Sequence, residues 1–345
     1  MSLLNTRIQN IRSGSNIDKY EYRASRYGAL DLFVNQTEDP AGIITPELED
    51  KAMASIGSDI EIPVIDFDAG LNVQTGRPAV IDDSENTSQI FDTINWVSLS
   101  WGFTVTPALY MNNEVSVQRD FETKFMKYLY EVADFLDTQA EAALLAASTG
   151  VLNDTLQYAQ VGDMLQCDWA SREMLLGDLN PIMAANDYYN QIHVVGNTGI
   201  ESLARSLTEK GLYNEVNKMM QYSDKILHFT NRIANDPAAY GTGYAVNGGS
   251  VGMLKRLERE ALLRTTARTG HEWDIERLPL IDMEAGTYYY EGVASEAGLA
   301  GAASADMTRA KKQYYGFAMD VAYVTRYNSR PGVDPEPIIH FEVLS

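Results

Sequence analysis

The stretch VQRDFETKFMKYLYEVADFLDTQAEAALLAASTG, residues 117–150, runs for about thirty residues without a proline or an internal glycine, well beyond the usual globular helix. Phe121, Phe125, Tyr128, Val132, Phe135, Leu136, Ala140, Ala143 and Leu144 recur at steps of three and four, which lays an apolar stripe along one face. Asn113 or Ser116 can cap its start. Glu114, Asp120 and Glu122 sit where the positive end of the helix dipole favours them, and Gly150 can take the left-handed conformation that ends a helix. At roughly 1.5 Å per residue the helix is about 50 Å long, wider than the ~30 Å of a small domain. It is therefore a spine that other elements lie along.

The chain of 345 residues is long enough for one large domain or two to three smaller ones, and 45% hydrophobic with 22% charged residues suits a globular protein with a sizeable core. Its net charge of −21 opposes a broad electrostatic footprint on nucleic acid or on an anionic membrane. The N-terminal MSLLNTRIQNIRSGSN has no apolar core of signal-peptide length, and no uncharged apolar run reaches a membrane span, so a soluble, unexported chain is expected. Cys167 is the single cysteine, which excludes an intrachain disulfide and reads as an ordinary buried thiol. The N-x-[ST] matches at Asn35, Asn86 and Asn153 carry little meaning without a secretory signal.

No catalytic, cofactor-binding or metal-ligating residue is singled out. His193, His228, His271 and His340 have no second ligand three or four positions on, and one cysteine cannot make a thiolate zinc site. His193 lies in the apolar IHVV and reads as a packed strand residue. In YGTGYAVNGGSVG, Gly252 is followed by Met253 rather than by the lysine and hydroxyl residue of a phosphate loop, and the first cluster lacks the third glycine of a dinucleotide fingerprint. Paired acids such as Asp82 and Asp83, or the ELED at 47–50, read as solvated loop residues rather than as a glycosidic pair. No G-x-S-x-G nucleophile elbow occurs.

Along the chain, residues 1–50 mix tyrosines and short apolar pieces such as LDLFV without sustained period, broken by Pro40 and Pro46, and read as an arm. IEIPVIDF, residues 60–67, and NWVSLSWGFTVTPALY, residues 95–110, alternate as strands. Between them lie residues 69–93, with Gly70, Gly76, Pro78 and a polar run over 82–89, too poor in apolar groups for a core; a projecting hairpin or a mobile surface loop fits. QIHVVGN at 191–197 reads as a strand feeding a helix that Thr198 and Glu201 cap reciprocally, with Ile200, Leu203, Ala204 and Leu207 buried and Gly211 closing it. A second helix is expected over 214–233 through Val216, Met219, Met220, Ile226, Leu227 and Ile233. GYAVNGGSVGMLKRL reads as two short strands about a glycine turn, and TYYYEGVAS, YYGFAMDVAYVTRY and PEPIIHFEVLS as later strands whose tyrosines suit a pleated surface.

In this order of elements, and locally in IHVVGNTGIESLARSLTEKG and GYAVNGGSVGMLKR, the chain resembles the major capsid proteins of tailed bacteriophages, with the Hong Kong 97 phage fold that encapsulin nanocompartments share. The resemblance implies an α+β fold: an N-terminal arm over 1–55, an extended hairpin loop with flanking strands over 56–110, a peripheral domain with the spine helix over 111–165 and 275–330, and an axial domain over 166–274 and 331–345. It implies a structural protein, not an enzyme, that assembles as hexamers and pentamers into an icosahedral shell. It further implies portal, scaffold and decoration partners, weak nonspecific contact with packaged double-stranded DNA, and no membrane partner or cofactor. The expected location is a virion capsid assembled in the host bacterial cytoplasm. An encapsulin-type shell, and an α/β enzyme with an unrecognised acidic site, are the alternatives.

Overall fold

The computed structural model describes residues 3–13, 26–37, 42–54, 61–65, 89–110, 113–148, 150, 152–208, 220–222, 225–234, 237–257, 271–281, 283–293, 311–325 and 336–345. Among the described residues, helices α1 (Leu3–Ser13), α2 (Gly28–Thr37) and α3 (Pro46–Ala54) precede a hairpin of β1 (Glu61–Ile65) and β2 (Gln89–Thr93). Strand β3 (Val97–Val105) and the spine helix α4 (Glu114–Ala147) follow. Then come β4 (Ala159–Val161), β5 (Met164–Cys167), α5 (Arg172–Ala185), β6 (Ile192–Gly196), α6 (Thr198–Thr208), β7 (Met220–Tyr222) and β8 (Lys225–Phe229). The chain closes with β9 (Ala239–Asn247), β10 (Val251–Arg256), β11 (His271–Arg277), β12 (Glu284–Val293), β13 (Lys311–Thr325) and β14 (Ile338–Leu344). The mixed α+β class agrees with the expectation.

The spine is one helix of 34 residues, roughly 50 Å long. Asn113 is its cap: the side-chain oxygen accepts from the Val115 N–H at 3.1 Å, which leaves Ser116 inside the first turn. Its C-cap is Ser148 at φ −97°, so the predicted left-handed stop at Gly150 does not occur. Gly150 instead lies where a side chain would meet the backbone nitrogen of Glu336 at 2.8 Å. The stripe is broader than its sequence signature. Phe121, Phe125, Val132, Leu136, Ala140 and Leu144 are buried as expected, Val117, Leu129, Ala133 and Asp137 join them, and Tyr128 and Phe135 reach solvent.

The spine is wide because it serves two sheets. In the five-stranded sheet, β13 carries β3 along one edge, with Gln313 opposite Val105 and Val321 opposite Val97. Along its other edge it carries β12 over 311–318 and β10 over 320–325, end to end, and β11 continues the sheet beyond β12. The expected tyrosine strands stack across this ladder: Tyr289 faces Tyr315 with ring centroids 5.3 Å apart, and Tyr290 faces Tyr314 at 5.7 Å. Phe103, Phe121, Phe125, Tyr315 and Phe317 then form one aromatic cluster between sheet and spine.

The second sheet has seven strands in the order β4-β5-β14-β9-β6-β8-β7, with β6–β8 and β14–β5 parallel. Alternation sends Val195, Tyr244, Val246 and Ile338 to the core shared with the spine, and Ile192, Val194, Ala245 and Phe341 to a second core under α5 and α6. The predicted glycine turn at 248–249 does join two strands, but β9 and β10 belong to different sheets, so it is the crossing between them. Gly249 there has φ +79°.

In the larger sheet and its helices the structure departs from the sequence expectations. The helix over 214–233 is not present among its described residues: Met220 lies in β7, and Ile226 and Leu227 lie in β8, because pairing with β6 satisfies a backbone that a helix would have kept to itself. Val216 and Met219, like Gly211, lie outside the described residues. Helix α6 is capped one residue earlier than expected, by Asn197, whose side chain accepts from the Gly199 and Ile200 N–H groups at 3.0 and 3.3 Å; Glu201 pairs with Arg205 and Arg26 instead. Helix α5 went unread, since Gly177 and Pro181 interrupt its pattern.

The return strand of the hairpin is β2, with Glu61 opposite Thr93 and Ile65 opposite Gln89, while the alternating run at 97–105 leaves the hairpin and joins the sheet. Residues 66–88 lie outside the described residues.

Candidate functional site

The N-terminal stretch departs most from expectation, because its described part does not extend away from the body. Leu4, Ile8 and Ile11 of α1 and Leu30, Leu32 and Phe33 of α2 are buried in the same core as the spine. Arg7 follows them inside and donates to Glu114 at 3.1 Å and to Gln313 at 3.3 Å, with the Phe121 ring 5.7 Å from its guanidinium carbon.

Helix α2 is the junction of the molecule. Gly28 sits so close to β8 that a β-carbon would meet the Phe229 backbone at 2.5 Å, and Tyr27 bridges Thr230. Asp137, fully buried on the spine, accepts from the Leu30 N–H at 2.9 Å and from the Thr230 hydroxyl, so a side chain from another helix caps the start of α2. Burial pushes its carboxyl up to about 6, against the lowering effect of those donors. At the far end of α2 the Thr37 hydroxyl accepts from the Met253 N–H at 2.8 Å, tying the helix to β10. Between these anchors, Gln36 Nε2 lies 2.9 Å from His193 Nε2, His193 Nδ1 lies 3.1 Å from His228 Nε2, and His228 Nδ1 lies 2.9 Å from Asp31 Oδ2.

The remaining candidates do not converge. His271 Nδ1 meets the Tyr288 hydroxyl at 2.7 Å in the five-stranded sheet, and His340 stacks on Tyr244 in the other. Burial lowers the pKa of His340 and, with Asp168 and Asp178 adding to it, raises that of the Cys167 thiol to about 11. Glu47 and Glu49 lie on the first turn of α3, while Asp82, Asp83 and Asn86 lie outside the described residues. Asn35 lies on α2, and Asn153 follows the spine with its backbone N–H on Asn186. Among the described residues no three metal-type ligands cluster, and no helix is long and apolar enough to cross a membrane. A cleft of about 320 Å³ lies over β3 and β13, beside Ser98, Ser100 and Met319. Its charged wall is the pair Arg256–Asp320, 2.7 Å apart, with Arg256 also lying over the Trp96 ring.

What the molecule offers outward is surface. β1 and β2 pair with each other and with no other described strand. A small separate core of Ile44, Leu48, Ala52, Ile94, Leu254, Ala322 and Val324 anchors the hairpin's root on β10 and β13. Val115, Tyr128, Phe135 and Leu145 are exposed along the spine, Leu156, Val161 and Trp169 on and beside β4 and β5, Met174 on α5 and Tyr189 ahead of β6.

No protein-family model matches the chain, and no curated protein matches it in sequence. Solved structures do align with it along most of their length. One, described as the capsid of an empty GTA particle computed with C5 symmetry, covers 92% of this chain and 90% of its own at 11% identity, with a TM-score of 0.45. A chain from Mycobacterium phage Cain covers 83% and 85% at 12% identity, TM-score 0.46. The asymmetric unit of the bacteriophage PhiM1 mature capsid covers 83% and 82% at 9% identity, TM-score 0.39.

Proposed function

We propose that the chain is the structural subunit of a closed protein shell, the major capsid protein of a tailed phage, and has no catalytic role. The observation that carries this reading is the pairing of a 34-residue spine under two sheets with a hairpin whose strands pair only with each other among the described residues. A hairpin of two strands is marginal in water, so its partner is supplied from outside the subunit. In this reading the five-stranded sheet with the spine is the peripheral part, and the seven-stranded sheet with α5 and α6 is the axial part that meets its copies in pentamers and hexamers. Helices α1 and α2 then act as a clamp within the subunit, since both are buried at home. Portal, scaffold and decoration proteins are the partners of such a shell, and double-stranded DNA its content. An acidic wall holds that DNA only weakly.

Each tile makes several contacts, so modest pairwise affinities combine through multivalency into a closed container. With a net charge of −21, subunits repel at low ionic strength. The screening length falls from about 30 Å at 0.01 M to about 8 Å at 0.15 M salt, so assembly of purified subunits is expected to strengthen over that range. Light scattering during a salt titration checks this. A monotonic fall in scattering with added salt contradicts assembly against like-charge repulsion. Nuclease-protected DNA in the particles agrees with the capsid reading, whereas an enclosed enzyme without DNA assigns the shell to the nanocompartment class.

A further inference from the structure

The chain of hydrogen bonds through Gln36, His193, His228 and Asp31 has only one arrangement in which every link pairs a donor with an acceptor. Gln36 Oε1 accepts from the Gly249 N–H, so its Nε2 is the donor towards His193 Nε2. His193 must then carry its proton on Nδ1 and donate to His228 Nε2, and His228 in turn donates from Nδ1 to Asp31 Oδ2. Both imidazoles are neutral in this arrangement and both are buried, at 6% and 5% exposure. Gly249 is the residue at φ +79° in the turn that carries the chain from one sheet to the other.

We propose that this relay is an acid-sensitive latch: one proton added to the histidine pair breaks the hydrogen bond that holds the inter-sheet turn at Gly249. The proton settles on His228 beside the Asp31 carboxylate, where the charge is paired. His228 Nε2 then donates to His193 Nδ1, and the His193 proton moves to Nε2. Gln36 must turn its oxygen towards that proton, which places its NH2 group against the Gly249 N–H, donor against donor. The Gly249 N–H loses its partner, while Gly248 keeps its bonds to Gln191 and Asn190, so the turn loosens at Gly249 alone.

Among the described residues, the ionisable groups on the neighbouring elements have partners of their own. On the same face of the sheet, Asp137 of α4 holds Leu30 and Thr230, Glu141 accepts from the Tyr244 hydroxyl, and His340 of β14 stacks on Tyr244. Lys225 precedes Ile226 on β8 and by strand alternation points to the opposite face from His228. Asp137 does take up a proton in the same range of pH, but its donors are at the start of α2, not at the turn. This inference does not depend on the shell reading.

Hydrogen exchange of the full chain, read by mass spectrometry and corrected for intrinsic rates, tests it. Between about pH 7.5 and 5, protection of the Gly249 amide is expected to fall about tenfold, the effect of one part-buried hydrogen bond, while amides inside α4 keep theirs. In Gln36→Glu the carboxylate accepts from both Gly249 and a protonated His193, so protection at the turn persists in acid. The latch is overturned if the wild-type turn is equally protected at both pH values, if protection is lost throughout α4 at the same time, or if Gln36→Glu loses protection in step with the wild type.

Discussion

Removal of residues 66–88, with Ile65 joined to Gln89 through a short glycine linker, is expected to leave a folded subunit that forms no closed particles. The strands flanking the deletion pair only with each other among the described strands, so neither large sheet loses a partner. The groups that root the hairpin, Ile94 and Trp96, remain on β10 and β13. Thermal unfolding should therefore shift by less than about 4 °C, what ~1 kcal/mol produces in a domain of this size. Particle formation should be abolished if, as proposed, assembly buries the hairpin, whose sequence over 69–93 is too poor in apolar groups for a core of its own. Circular dichroism melting and negative-stain electron microscopy of the same preparation read both effects. Particles of normal size from the deletant contradict the role given to the hairpin, and a subunit that fails to fold contradicts its independence from the core.

The second large effect is at Asp137. In Asp137→Ala the Leu30 N–H and the Thr230 hydroxyl lose their buried acceptor, at about 1–3 kcal/mol for each group left unsatisfied, so unfolding of the unassembled subunit should need ~2–6 kcal/mol less. The wild-type residue also has a pH signature. Its folded-state pKa of about 6 lies above the ordinary 3.8, so between those values the folded chain binds a proton that the unfolded chain does not. Stability from this site therefore rises as pH falls from 6 towards 4 and is lost as pH rises through 6, by at most about 3 kcal/mol. Urea unfolding of wild type and Asp137→Asn across that range isolates the effect as a difference. A difference that does not change with pH shows that the carboxyl titrates alike in both states.

The elements legible in the sequence are those whose signal is local. The spine, β6, the tyrosine strands and β14 each carry their own period, and they formed where that period placed them. What stayed hidden depends on partners far along the chain. Residues 225–229 look as helical as they look extended until β6 is known to lie beside them, and LDLFV looks like part of an arm until Asp137, 107 positions away from Leu30, is seen to cap it. The histidine pair is of the same kind: the apolar IHVV marks His193 as a packed strand residue, but only the parallel pairing of β6 with β8 brings it against His228. Gln36, which completes the relay, has no pattern of its own. The hairpin is legible through its lack of apolar residues, but its return strand is not, because 97–105 alternates more strongly than 89–93.

Sedimentation velocity of the purified chain near physiological salt tests the central claim most directly. The account predicts a narrow megadalton boundary of closed shells, in exchange with a small pool of subunits or capsomers. A single species at the mass of one 38.3 kDa chain or its dimer, unchanged by concentration and salt, would contradict it.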